Sequence, residues 1–330
     1  MTIVINTLKS IFLTSIMVLG ACLSVAPVLA QETPLPKLIK IIVPFSPGAS
    51  NDLFGRALAQ RMSARLGTTV IVENKPGAGG AIGAEMVARG EPDGSILMLS
   101  SNSFTTNAAM TAKLPYDMNK SFVPVAMVAK ASMIVVVSAN SPYKTLPQAI
   151  EAMRDPKLKI NYGSAGVGSL AHIGTELFHS MAGTTALHVP YKGVSNAITD
   201  MLGNNIQIMI TTIASVGEQI KAGKLRSLAV TSLERSQTMP EIPTAAEYIS
   251  GYTAEAWWGV FAPGSTPKPI VDRLNAVIRT ITEQPDMRKL LAQESADPVP
   301  MNSVEFNAYY TDEISKWKKV ARERNLSSTN

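Results

Sequence analysis

Apolar positions along this chain alternate between two periods. Over 39–45 they run almost unbroken, as in a buried strand, and over 52–66 Leu53, Ala57, Leu58, Met62 and Leu66 recur at helical spacing. The same reading predicts strands at 69–72, 96–99, 123–128, 133–137, 159–162, 187–190, 206–211, 225–231 and 257–262. It predicts helices at 81–89, 146–153, 169–181, 195–202, 216–222, 268–283, 286–294 and 303–324. Strand–helix alternation implies an α/β fold of mainly parallel sheets flanked by helices. Two very apolar strands, 133–137 and 257–262, bracket a complete βα set, so they are expected to cross between lobes. The expected division is a discontinuous lobe of 38–135 with 259–326, and a second lobe of 136–258. Ligands of such sheets bind beyond the carboxyl ends of strands, which makes the strand-to-helix loops the informative segments.

The first 30 residues stand outside this pattern. They carry one charge, Lys9, then an apolar run from Ile11 to Leu29 that ends on Ala30 before polar Gln31-Glu32-Thr33. This predicts a cleavable export signal, cut after Ala30, and a periplasmic location. Cys22, in Leu19-Gly20-Ala21-Cys22, offers the alternative of a lipoprotein, but 23–29 stays apolar after it. Cys22 is the one cysteine, so the mature chain is expected to lack disulfides and thiolate chemistry. The formal charge is +5 over the full chain and +4 once Lys9 is removed. Those charges are dispersed, which excludes a nucleic-acid track.

The most loaded loop is "NYGSAGVGSLAH" at 161–172. Gly166-Val167-Gly168-Ser169-Leu170-Ala171 fits a dinucleotide fingerprint, yet the next strand ends in His188-Val189-Pro190-Tyr191-Lys192 without the acid a ribose needs. No cofactor is expected. A secreted α/β hydrolase using Ser169 or Ser164 with His172 is the alternative function; neither serine lies in the G-x-S-x-G frame. No histidine–carboxylate spacing predicts a metal. A third reading needs least: a helix N-terminus with glycines and hydroxyls that receives an anion. Ser169 could equally cap its own helix, and both roles can hold. Comparable polar loops follow other strands: "VPFSPGASND" (43–52), "SSNSFTT" (100–106), "HVPYKG" (188–193) and "TTIAS" (211–215).

Taken together, "VPFSPGASNDLFGR", "VENKPGAGGAIGAEMVA", "NYGSAGVGSLAHIGTELF", "LHVPYKG", "GKLRSLAVTSLERSQTMPEIPTAAE" and "WWGVFAPGSTPKPIVDRLN" resemble the Bug receptors, the TctC-like extracytoplasmic solute-binding proteins of tripartite tricarboxylate transport systems, over essentially all of 38–326. The resemblance implies a two-lobed periplasmic binding fold that closes on a small organic acid or amino acid. It implies partners among membrane transporter subunits or a sensor kinase, a monomer, and no catalysis. Carried over by position, the implied ligand-binding residues are Phe45, Ser46, Gly48, Ala49, Ser50 and Asn51 of the first loop, with Ser101 and Asn102 of the third-strand loop. The second lobe would add Ser164, Gly166, Gly168, Ser169, Tyr191, Thr211 and Thr212. The family's second glycine in the first loop is Ala49 here, which calls the local turn into question because alanine resists positive φ. Asp52 and Arg56 read as structural, and Tyr191 as either pocket wall or packing. Trp257 and Trp258, being adjacent in a strand, should face opposite ways.

Overall fold

Why the strands pair as they do follows from which face each residue buries. In a computed structural model describing residues 34–236 and 239–327, Ile39, Ile41 and Val43 of β1 (Leu38–Val43) enter one core cluster while Ile42 enters another on the opposite face. β3 (Ile96–Ser101) repeats the alternation, with Leu97 and Leu99 on one side and Met98 on the other. Both faces are therefore covered, as a parallel sheet between helices requires. β1 lies parallel to β2 (Thr69–Asn74) and to β3. One face packs on α1 (Ser50–Leu66) and α8 (Lys268–Thr282) through Phe54, Leu58, Leu274 and Ile278. The other packs on α2 (Ala81–Ala88), α3 (Ser103–Met110) and α10 (Ser303–Glu323) through Val87, Phe104, Phe306 and Tyr310.

The stretches 123–128 and 133–137 are one strand, β4 (Phe122–Ser138). Its first part pairs antiparallel with β9 (Glu255–Pro263), down to Ser132 opposite Glu255. From Met133 it pairs with β7 (Ile208–Thr212) and β8 (Leu225–Val230) instead. β7 continues into β5 (Asn161–Ser164) and β6 (Leu187–Pro190), giving the order β2-β1-β3-β9-β4-β7-β5-β6. A two-residue β10 (Asp297–Pro298) pairs with β4 at Lys130 and Ala129. Helices α4 (Leu146–Arg154), α5 (Leu170–Ala182), α6 (Val194–Leu202) and α7 (Ile213–Lys221) accompany the second group of strands, and α9 (Pro285–Gln293) joins the first. The result is the expected α/β architecture, a curled mixed sheet flanked by helices.

Thr231, just past β8, is buried where the chain changes sheet partners. Its hydroxyl accepts the Met133 amide at 2.9 Å and donates to the Ala254 carbonyl at 2.5 Å, tying together both segments that connect the two strand groups. Trp257 and Trp258 do face opposite ways. The Trp257 indole donates to the buried carboxylate of Glu313 on α10, as does Trp317, while Trp258 meets Phe54 edge-on at 5.0 Å. Gly259 between them and Phe261 leaves room for Phe306: a Cβ there would fall 2.4 Å from its ring. α10 begins with a reciprocal cap, Asn302 accepting the Val304 and Glu305 amides and Glu305 accepting that of Asn302.

The expected export signal, its cleavage after Ala30 and the thiol of Cys22 lie outside the described residues. Among the described residues no helix is long and apolar enough to cross a membrane, and no group of acidic, histidine or cysteine side chains could hold a metal.

Candidate functional site

Four polar turns at the carboxyl ends of strands meet. The first, 44–49, follows β1. Gly48 takes φ +91° and Ala49 takes φ −89°, so the left-handed position falls on the glycine and alanine is unstrained. Asp52, in the first turn of α1, fixes the loop by accepting the Gly48 amide at 3.1 Å and bonds from Arg56 and Asn74; Asn74 also holds the Phe45 carbonyl. Burial works against the Asp52 carboxylate, but these donors hold its pKa below the ordinary value. Asp52 and Arg56 are thus structural, as expected.

The second turn is not among the polar loops that the sequence singles out. "PGAGG" after β2 puts Gly80 against Pro44 and Phe45, with a Cβ there 3.5 Å from Pro44 and 3.6 Å from the Phe45 ring. The carbonyl of Gly79 accepts the side-chain amide of Asn107 at 2.9 Å. Asn107 belongs to the third element, which the sequence presented as the polar loop 100–106. Residues from Ser103 onward instead form α3, because Phe104, Ala108 and Met110 give it a buried face that the hydroxyls obscured. Ser101 and Asn102 are buried at the start of this element, and Asn102 donates its amide to the Trp257 carbonyl.

The fourth turn, 164–169, joins β5 to α5. A Cβ on Gly168 would stand 3.1 Å from both Asn107 Oδ1 and Met110 Cε. Thr106 Oγ1 donates to the Gly168 carbonyl at 3.3 Å, a direct bond from α3 to the turn of the other strand group. Gly166 and Gly168 adopt φ +117° and +86°, which only glycine takes cheaply. Much of the turn's polarity is internal. Ser169 accepts the His172 amide at 3.2 Å, capping α5, and donates to the Gly166 carbonyl at 2.7 Å. Ser164 Oγ receives the Gly166 amide at 3.1 Å and lies 2.7 Å from His188 Nε2. The Gly168 amide donates to His172 Nδ1 at 3.2 Å.

The structure therefore links Pro44 and Phe45, through Gly79–Gly80, Asn107, Met110 and Thr106, to Gly168 and so to the turn that holds Ser164, Gly166 and Ser169. Asn51 sits in the first turn of α1, and Ser101 and Asn102 at the end of β3. Tyr191 packs: its hydroxyl donates to Asp200 at 2.6 Å and its ring lies against Gly163, and burial with the Asp200 charge pushes its pKa up to about 12. Thr211 is buried in the ladder opposite Ile134, and Thr212 engages Ser215 at 2.6 Å; neither hydrogen-bonds to the 164–169 turn. Two buried polar atoms near the first turns have no partner, Asn51 Oδ1 and Ser100 Oγ. Unmet buried groups of this kind cost ~1–3 kcal/mol each unless something binds them.

The model of the tripartite tricarboxylate transporter family receptor matches residues 54–326. The chain belongs to that family. BugT of Bordetella pertussis is 34% identical over 301 residues, covering 90% of this chain and 92% of BugT. Among solved structures, the periplasmic binding protein BugD is 31% identical with a TM-score of 0.69, covering 88% of this chain and 98% of BugD. MatC of Rhodopseudomonas palustris, with malate bound, is 28% identical with a TM-score of 0.68, covering 86% and 98%. Family members are periplasmic solute-binding receptors.

The hydrolase alternative with His172 as partner finds no support in these contacts or in the family. His172 meets Ser169 through its backbone amide, and its Nδ1 accepts the Gly168 amide rather than the Ser169 hydroxyl, whose proton goes to the Gly166 carbonyl. Ser164 pairs with His188 rather than His172, and Ser164 is also bonded within its own turn.

Proposed function

We propose that this chain is a periplasmic receptor that captures a small carboxylate-bearing metabolite, an organic acid or amino acid, between the 44–51 and 100–107 segments on one side and the 164–169 turn on the other. It does so without catalysis, as a monomer, and passes the solute to a tripartite transporter or a sensor. The bond from Thr106 to Gly168 carries this reading, because it joins glycine-rich strand-end turns from two different strand groups at one place. Family membership and the malate bound in MatC support it. A division into 38–135 with 259–326 and 136–258 is supported by the change of β4's partner from β9 to β7 between Ser132 and Met133. Capture follows from hinge closure, in which the solute stabilises the state where both sets of donors reach it. Export uses residues 1–30 with cleavage after Ala30, leaving Cys22 in the removed segment.

A thermal-shift screen of organic acids and amino acids, malate first, followed by calorimetry, tests this. A carboxylate that raises the melting temperature and binds one to one supports the reading. Stabilisation by neutral sugars or metal ions alone, or turnover of ester substrates, sinks it.

A further inference from the structure

Beneath the 164–169 turn lies a stack of three rings that the proposed function does not use. Tyr162 of β5 stacks on His188 of β6 at 4.8 Å, and His188 stacks on His172 of α5 at 4.1 Å with the two imidazoles 11° from parallel. Each imidazole holds one end of the turn. His188 Nε2 is 2.7 Å from Ser164 Oγ, and His172 Nδ1 accepts the Gly168 amide at 3.2 Å. A ring nitrogen that accepts an amide proton carries no proton itself. His172 is therefore the Nε2–H tautomer, and its contact with Gly168 exists only while the ring is neutral. Protonation would turn that acceptor into a donor facing a donor. It would also put positive charge 4.1 Å from a second imidazole in a largely buried setting.

We propose that the stacked His172–His188 pair, in its neutral form, positions the 164–169 turn, and that protonating the pair releases the turn and weakens solute binding. The binding half of this rests on the function proposed above; the positioning half does not. Charged and titratable groups surround the pair on every side. From α5 come Glu176 and His179, from β5 Tyr162, and from the end of α10 Arg324, which bonds to Glu176 at 2.6 Å. Tyr162 donates to the other Glu176 oxygen at 2.6 Å, so that carboxylate is already satisfied by a phenol and a guanidinium and bonds to neither imidazole. Tyr191, past β6, turns to Asp200. Burial lowers both imidazoles; for His188, burial and then the neighbouring His172 bring it to about 4 against a reference of 6.5. The pair is accordingly neutral at pH 7 and takes up protons only in acid.

Isosteric variants separate this role from mere packing. In His172→Asn the side-chain oxygen occupies the place of Nδ1 and cannot titrate; in His172→Phe the ring stays and the acceptor goes. Hydrogen exchange of the peptide carrying 165–169, corrected for the intrinsic pH dependence, is read in the solute-free protein at pH 7 and pH 4.5. The wild type should lose about tenfold in protection on acidification, His172→Asn should lose little, and His172→Phe should be weakly protected at both pH values while still melting cooperatively. Equal acid loss in wild type and His172→Asn, or full protection of His172→Phe at pH 7, overturns the proposal. Should the variants not fold, nitrogen chemical shifts of the wild-type imidazoles decide it: a proton on His172 Nδ1 at pH 7 rules the contact out. None of these readouts needs a solute, so a metabolite screen that fails would refute the proposed function and leave this test standing. If malate binds, its dissociation constant should rise steeply from pH 7 to 4.5 in wild type and stay flatter in His172→Asn.

Discussion

At Ser169 the two roles left open by the sequence part company. Its hydroxyl accepts one bond from the His172 amide and gives its proton to the Gly166 carbonyl, the bonds of a cap that begins α5. Ser169→Ala should cost ~1 kcal/mol of stability, read as a lower melting temperature, and change solute affinity little. A drop of about tenfold in affinity at constant melting temperature would restore a direct ligand role. Gly168 is expected to behave in the reverse way. Gly168→Ala places a methyl 3.1 Å from the ends of Asn107 and Met110, flexible groups that can yield at some cost to the fold. The same methyl sits where α3 meets the turn, and φ +86° disfavours it further. Affinity should fall about tenfold or more in calorimetry while the protein still melts cooperatively. Unchanged affinity would detach the turn from the binding site.

Among the elements, the joint at Thr231 is the most exposed to a single change. Thr231→Val keeps the shape and removes both bonds, leaving the buried Met133 amide and Ala254 carbonyl each short of a partner. A loss of ~2–4 kcal/mol is expected in denaturant unfolding. A variant as stable as wild type would mean that water or a neighbour replaces the hydroxyl. Legibility differed from element to element for physical reasons. Strand 187–190 and helices such as α8 and α10 stood out because one face alone is apolar and period decides the type. The sequence presents β4 as two strands, since Lys130 and Ser132 interrupt its apolar run; what joins the halves is pairing with distant β9, β7 and β8, which no local window contains. α3 is hidden in the sequence because Ser103, Thr105, Thr106 and Asn107 look like a loop, and its helical state depends on Phe104 reaching the rings of Phe122, Phe261 and Tyr310. The glycines of the site turns were legible; the His188–Ser164 pairing was not, because 24 residues separate the partners.

Across the whole molecule, acid should unfold this protein through a small buried set. Burial lowers His179 to about 4, and its unfolded value is near 6.5. Between those values the unfolded chain binds the proton and the folded chain does not, so stability rises with pH across that window and is lost as pH falls. That is roughly 3 kcal/mol by pH 4 from this one group. Glu176 adds to it. Burial opposes its ionisation, but Tyr162 and Arg324 hold its pKa below the reference, so its contribution is present above the unfolded value and lost as pH falls through the folded one. Melting temperature should drop markedly from pH 7 to 4, and a flat profile would contradict the buried, neutral state of His179. Salt should act differently. The 44–51, 100–107 and 164–169 segments contain no lysine or arginine, so solute affinity should vary little between low and moderate ionic strength. A steep salt slope would place a cation at the carboxylate.

The position of β9 has a consequence in time. It lies between β3 and β4, yet it is made of residues 255–263, far later in the chain than either neighbour. A chain emerging from its amino end therefore holds β3 and the long β4, each with an open edge, until more than 250 residues are out. Non-local pairing of this kind is slow, and open strand edges invite association. The nascent protein should depend on something that shields those edges before the sheet closes. A fragment ending at Ala254 should aggregate under conditions in which the full chain does not, and adding the missing segment in trans should rescue it only if supplied before the edges find each other.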